Sequence, residues 1–180
     1  MTPRGAVIFD RDGVLNRDVG YACRAEQIEW IEDAVEAVRA VNAAGLLAFV
    51  ATNQSGVARG YYTEADVQAL HGWMAEQFAA AGARIDAFAY CPHHPEAPLA
   101  TYRADCDSRK PGPGMIRRLL ADHGVDPARA LMIGDQPRDV EAAVAAGIEG
   151  VLFTGGSLLS FVAPLLARIA AAPAVTGPRS

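Results

Sequence analysis

Lysine is all but missing from this chain of 180 residues: Lys110 stands alone against fifteen arginines. An excess of positive charge is missing too. With 16 Lys+Arg against 21 Asp+Glu the formal charge is −5, which argues against a nucleic-acid binder, whose affinity rests on cations set against phosphates. The same deficit means that an anionic ligand needs a locally cationic pocket. No apolar run reaches the roughly 18 residues of a membrane-spanning helix, so no membrane partner is expected. Met1–Gly5 leaves too little length for a signal peptide before strand-like residues begin. Cysteine is scarce. The three present cannot pair evenly, and two of them share a histidine-bearing stretch, which fits a reduced cytoplasmic setting better than a disulfide framework. What remains is a soluble cytoplasmic chain, expected to be one domain over residues 1–172 with a flexible Pro/Gly-bearing tail over 173–180.

Short apolar runs alternate with helical patterns. Ala6–Phe9, Leu46–Ala51, Ile85–Tyr90, Ala130–Ile133 and Val151–Phe153 read as strands covered on both faces, the mark of a parallel sheet. Helices are expected over Ala34–Asn42, from the capping box at Thr63–Asp66 to about Ala81, over Met115–His123 behind Pro113, over Arg138–Ala146 and over Ser160–Ala171. Gly124 and Gly147 are the stop signals of the third and fourth. No internal repeat or linker interrupts this order, which predicts a doubly wound α/β sheet.

In such sheets ligands bind beyond the carboxyl ends of the strands. The polar clusters sit there: Asp10-Arg11-Asp12-Gly13, Thr52-Asn53-Gln54 and Gly134-Asp135, with Lys110 just ahead of the third long helix. Singly, each has a plain reading: Asp-Gly ends strands, Thr52 suits a turn and Asp135 an N-cap. Together they supply phosphoryl transfer. A carboxylate is a competent nucleophile toward phosphorus, and a second one two residues on can handle the proton. Close carboxylates attract a hard cation such as Mg²⁺. Thr52 offers a hydroxyl and Asn53 an amide to phosphoryl oxygens. Lys110 offers a compact charge, and Asp139, one helical turn past Asp135, can stand behind the metal.

Asp-x-Asp-Gly after the first strand, Thr after the second, then Lys and Gly-Asp-x-x-x-Asp resemble the haloacid dehalogenase (HAD) superfamily of phosphatases over about Ala6–Phe153. Asp12 is the residue that dehalogenases of that superfamily lack. The segments 10–16, 52–64, 91–95 and 109–115 are most similar to the branch that hydrolyses the 7-phosphate of D-glycero-D-manno-heptose 1,7-bisphosphate, in making nucleotide-activated heptose for lipopolysaccharide cores. The resemblance implies a HAD-type Rossmann-like fold. It makes Asp10 the nucleophile, Asp12 the general acid/base, and Thr52 and Lys110 the holders of the phosphoryl group. Mg²⁺ falls to Asp10, the Asp12 backbone carbonyl and Asp135. Asp18, Gly20, Tyr21, Asn53, Gln54, Ser55, Arg59 and Arg109 become sugar and distal-phosphate contacts, the two arginines answering the charge problem. Histidinol-phosphatase or broad sugar-phosphate phosphatase activity is the nearest alternative; a receiver-like phospho-acceptor domain is the non-enzymatic one.

Cys91, His93 and Cys106 match three positions of a structural Zn²⁺ site found in that branch, but Ser108 stands where a further cysteine is usual. A serine hydroxyl is a poor zinc ligand, which leaves His94, Asp107 or water for the fourth position. Only about twenty residues separate the first strand from the first helix, so no large cap domain fits and the site is expected to be open. Cys23, His71, His123, Trp30, Trp73 and the Gly155-Gly156 pair have packing or turn readings and no assigned chemistry. The expected partner is a small sugar phosphate, and the expected state a monomer.

Overall fold

The computed structural model describes residues 4–171; the tail expected over 173–180 lies outside them. Five strands form one parallel sheet in the order β3-β2-β1-β4-β5: β1 Arg4–Phe9, β2 Leu47–Asn53, β3 Ala87–Cys91, β4 Val125–Gly134 and β5 Glu149–Leu152. The helices between and after them are α1 Ala34–Ala43, α2 Glu64–Ala80, α3 Gly114–Asp122, α4 Pro137–Ala145 and α5 Leu158–Ala171. Short 3-10 turns at Ala25–Gln27 and Ala100–Tyr102 have no counterpart in the sequence pattern, since three residues carry no periodicity to detect.

Alternation along the strands builds two cores. Val7 and Phe9, Ala48 and Val50, and Leu131 and Ile133 face α1 and α5, joined by Phe78 of α2. Ala6 and Ile8, Phe49 and Ala51, and Ala130 and Met132 face α3 and α4. Both faces are therefore dry, which is why the strands read as continuous apolar runs rather than as alternating ones. Each fully buried Phe, Leu, Ile or Met contributes about 1.5–3 kcal/mol relative to exposure. Asp33, just ahead of α1, accepts hydrogen bonds from the Leu158 N–H (2.8 Å) and the Ser157 hydroxyl, so the start of α5 is tied to the start of α1. The Thr63–Asp66 capping box at the start of α2 forms in both directions. Gly155 and Gly156 both have positive φ (101° and 86°), consistent with a turn.

Two insertions rise over the sheet's carboxyl edge. The β1–α1 segment is anchored by Trp30, which stacks on Trp73 (5.8 Å) and meets Phe78 edge-on (5.2 Å). The β3–α3 segment carries the cysteines and histidines. Neither approaches the size of a cap domain.

Candidate active site

In register, Phe9 lies beside Val50 and Ile133, so Asp10, Thr52 and Asp135 come together, within a residue of one level, at the sheet's carboxyl edge. They flank the point where the strand order reverses, between β1 and β4. The Asp10 N–H donates to the Ile133 carbonyl (2.9 Å), which fixes the turn. Gly13 then has φ 87°, and a Cβ there would fall 2.2 Å from Asp135 Oδ2. Only glycine lets the β1 turn close on Asp135.

Lys110 is 2% exposed and spends its ammonium on three oxygens. Nζ donates to the Ala51 carbonyl (2.8 Å) and forms ion pairs with Asp10 Oδ1 (2.9 Å) and Asp139 Oδ1 (2.7 Å). Asp139 is wholly buried, and it stands behind the lysine as well as beside the candidate metal ligands. The Asn53 side-chain amide exchanges two 3.0 Å hydrogen bonds with the Lys110 backbone. Its amide thus places Lys110, and the second Nδ2 hydrogen is left for the cleft that Asn53 also lines. Burial pushes the Asp10 carboxyl up to about 6, with Lys110 pulling the other way.

Asp12 is held on three sides. Arg11 forks it (Nε–Oδ1 3.2 Å, Nη2–Oδ2 3.0 Å), Asn16 donates to Oδ1 (2.9 Å) and Gln54 to Oδ2 (3.2 Å). Gln54 also donates to the Thr52 hydroxyl oxygen (2.8 Å), which leaves the Thr52 O–H free to donate into the cleft. Tyr62 in turn donates to Gln54 Oε1 (2.8 Å). Arg11 does not stand out in the sequence, because an arginine between two aspartates reads as a solvated turn. It is wholly buried, and its Nη1 lies 3.4 Å from His71 Nε2. His71 stacks on Phe88 at 4.7 Å, the core role rather than a surface one. Burial, with Arg11 adding repulsion, holds its pKa down to about 3, so the ring is neutral.

These groups open into a cleft of about 390 Å³. Asp10, Asp12, Thr52, Lys110 and Asp135 line it, as do all the anticipated substrate contacts: Asp18, Gly20, Tyr21, Asn53, Gln54, Ser55, Arg59 and Arg109. Tyr62, His94 and Arg138, not assigned to it from the sequence, line it as well. Tyr21 is exposed at φ 52° and meets Tyr61 edge-on at 4.9 Å. Burial lowers the Arg109 pKa, and Arg138 and Arg59 lower it further. Carboxylate oxygens of Asp10, Asp135 and Asp139 all lie within 4.8 Å of one another. Asp139 is occupied by Lys110, so Asp10 and Asp135 present the free oxygens, a hard donor pair that fits a divalent cation. Burial raises the Asp135 pKa.

At the side of the cleft, donor atoms of Cys91, His93 and Cys106 lie within 4.8 Å of one another. Burial pushes the Cys91 thiol up to about 11. The candidates for a fourth position are otherwise engaged. Ser108 Oγ accepts from Arg118 Nη2 (2.7 Å), and His94 Nδ1 accepts from the Glu96 N–H (3.1 Å). Asp107 packs against Gly112 and Gly114, where a Cβ would come within 2.5 Å of its atoms.

A family model described as HAD-hydrolase-like matches residues 108–173. The chain is 48% identical to the D-glycero-beta-D-manno-heptose-1,7-bisphosphate 7-phosphatase of Rhodopseudomonas palustris, over 91% of each chain. It is 41% identical to the D-glycero-alpha-D-manno-heptose-1,7-bisphosphate 7-phosphatase of Burkholderia mallei, over 79% of this chain and 76% of the relative. Among solved structures, the D,D-heptose 1,7-bisphosphate phosphatase of B. bronchiseptica, crystallised with magnesium and phosphate, superposes with a TM-score of 0.78 at 31% identity, covering 91% of this chain and 98% of that one.

Proposed function

The chain belongs to the heptose-1,7-bisphosphate 7-phosphatase family of HAD-like hydrolases, and from that membership and the cleft's chemistry we propose that it is a Mg²⁺-dependent phosphatase that removes the 7-phosphate of D-glycero-D-manno-heptose 1,7-bisphosphate. The observation that carries this reading is Lys110, a buried ammonium joining Asp10 to Asp139 at the strand ends.

Asp10 attacks phosphorus in line with the departing sugar oxygen. The P–O bond to the sugar breaks, and Asp12 delivers the proton that the leaving oxygen needs. The aspartyl-phosphate on Asp10 is then cleaved by a water that Asp12 deprotonates, releasing inorganic phosphate and regenerating both carboxyl groups. Arg11, Asn16 and Gln54 keep Asp12 over the attack line through both steps. Thr52 donates its hydroxyl to a phosphoryl oxygen, and Lys110 stabilises the charge that develops on the others. Asp10, the Asp12 carbonyl and Asp135 hold Mg²⁺, which when bound neutralises phosphoryl charge. A phospho-acceptor domain has no use for so firmly held an acid/base as Asp12.

Arg59 and Arg109 bind the phosphate that is not transferred. A bisphosphate carries about four negative charges, too many for Lys110 and one cation alone. The product keeps its anomeric phosphate, through which nucleotide activation of a sugar proceeds. The expected setting is the cytoplasm, and the expected state a monomer. Cys91, His93 and Cys106 would hold a structural Zn²⁺, which would pin the loop that carries Arg109. The test of function is phosphate release from both anomers of the 1,7-bisphosphate, with and without Mg²⁺, beside histidinol phosphate. A kcat/KM highest on a bisphosphate and dependent on Mg²⁺ supports the reading; a preference for histidinol phosphate overturns it.

A further inference from the structure

Three of the four acids lining the cleft, Asp10, Asp12 and Asp135, follow strands β1 and β4, where Lys110 pairs with Asp10 and Arg11 with Asp12; the fourth, Asp18, comes from the β1–α1 segment. The cleft's other cations are Arg59, Arg109 and Arg138, which come from three segments: the loop after β2, the loop before α3, and the first turn of α4. None of them makes an ion pair with a carboxylate of the described residues. Arg59 Nε is shielded from solvent without a hydrogen-bond partner, and Arg109 donates only a 3.3 Å bond to the His93 carbonyl.

Arg138 is the least expected of the three. A cation in the first turn of a helix opposes the helix dipole, so its place on α4 is not explained by helix stability. Nor is it explained by a local partner. In a chain of net charge −5, three unpaired guanidiniums on one cleft repel one another until an anion joins them. His94 lines the cleft with them, its Nδ1 accepting the Glu96 N–H (3.1 Å).

We infer that Arg138 is a specificity residue: it completes, with Arg59 and Arg109, a three-guanidinium subsite for the second phosphate of a sugar bisphosphate. The inference rests on the sugar-bisphosphate reading above and adds a residue to it. The transferred phosphoryl group sits over Asp10 and Lys110, while the remaining dianion is met by the three arginines. Selectivity for a bisphosphate over a monophosphate then comes from filling a site that is electrostatically unsatisfied when empty.

The test compares wild type, Arg138→Gln and Arg138→Lys on the 1,7-bisphosphate and on the 7-monophosphate. Arg138 is exposed, and matching melting temperatures establish that the variants fold. Taking a charge-assisted hydrogen bond away from the second phosphate lowers kcat/KM on the bisphosphate at least about tenfold more than on the monophosphate, mainly through KM. Arg138→Lys recovers part of that difference. Equal losses on the two substrates, or no loss on either, overturn the role of Arg138. A wild type that does not prefer the bisphosphate overturns the underlying reading instead, whatever Arg138 does.

Discussion

Replacing Lys110 by arginine keeps the charge and should still cripple the protein. The ammonium is enclosed at 2% exposure and lies 2.7–2.9 Å from three oxygens of separate segments. A planar guanidinium is larger and presents its donors in one plane, so it cannot reach Asp10, Asp139 and the Ala51 carbonyl together. Forcing it into a filled space costs about 1–3 kcal/mol of stability. The larger effect is on turnover, because a misplaced donor no longer meets the charge that develops on the phosphoryl oxygens. Losing one such donor costs about 10²–10³ in kcat. Lys110→Met adds a different penalty, since two buried carboxylates lose their cation, worth about 3–5 kcal/mol of stability. The assay is steady-state phosphate release on the 1,7-bisphosphate, alongside urea melts. Lys110→Arg is expected to fold with a reduced midpoint and to lose at least about 100-fold in kcat. A variant retaining a third of wild-type kcat refutes the argument that geometry rather than charge is what Lys110 supplies.

Three further outcomes follow from the geometry. His71 titrates near 3 in the folded protein and near 6.5 when unfolded, so its contribution to stability is complete above pH 6.5 and is lost as pH falls. His71→Gln should therefore lose about 2 kcal/mol less stability than wild type between pH 7 and pH 5, read from urea midpoints; parallel slopes would count against a buried neutral ring. Gly134→Ala would bring a Cβ 2.1 Å from the Asp139 Cβ, displacing Asp139 from Lys110, so kcat should fall by about 100-fold. Wild-type turnover would show that Asp139 does not govern the lysine. Metal analysis of the purified protein should find zinc near one equivalent, and its removal by a chelator should lower the melting temperature while Mg²⁺ restores no stability. A melting curve indifferent to chelation would remove the structural zinc.

Much of the site is legible in the sequence because its residues follow apolar runs that can hardly be anything but strands. Asp10, Thr52 and Asp135 sit one or two residues past Phe9, Val50 and Ile133, and parallel register does the rest. The carboxyl ends of the strands differ by a residue or two from the apolar runs, since Thr52 and Asn53 still pair with Tyr90 and Cys91 although both are polar, while β4 starts five residues before its apolar run, at Val125. What a sequence does not display is the role of residues that hold other residues. Arg11 looks solvated until the fold buries it. Asn53 and Gln54 read from the sequence only as substrate contacts; that their amides also hold Lys110, Thr52 and Asp12 appears only in the fold. Arg138 is invisible as a cleft residue, because nothing in sequence shows which way the first turn of α4 faces. Ser108 stands out as a departure from the zinc pattern, but only the structure shows it engaged by Arg118.

The central claim is that Asp10 is the nucleophile of a Mg²⁺-dependent phosphatase. It is tested most directly by measuring Mg²⁺-dependent phosphate release from heptose 1,7-bisphosphate with Asp10→Asn, an isosteric change that removes the attacking oxygen's charge. Release should fall to the uncatalysed background while the protein remains folded. Release at a substantial fraction of the wild-type rate would contradict it.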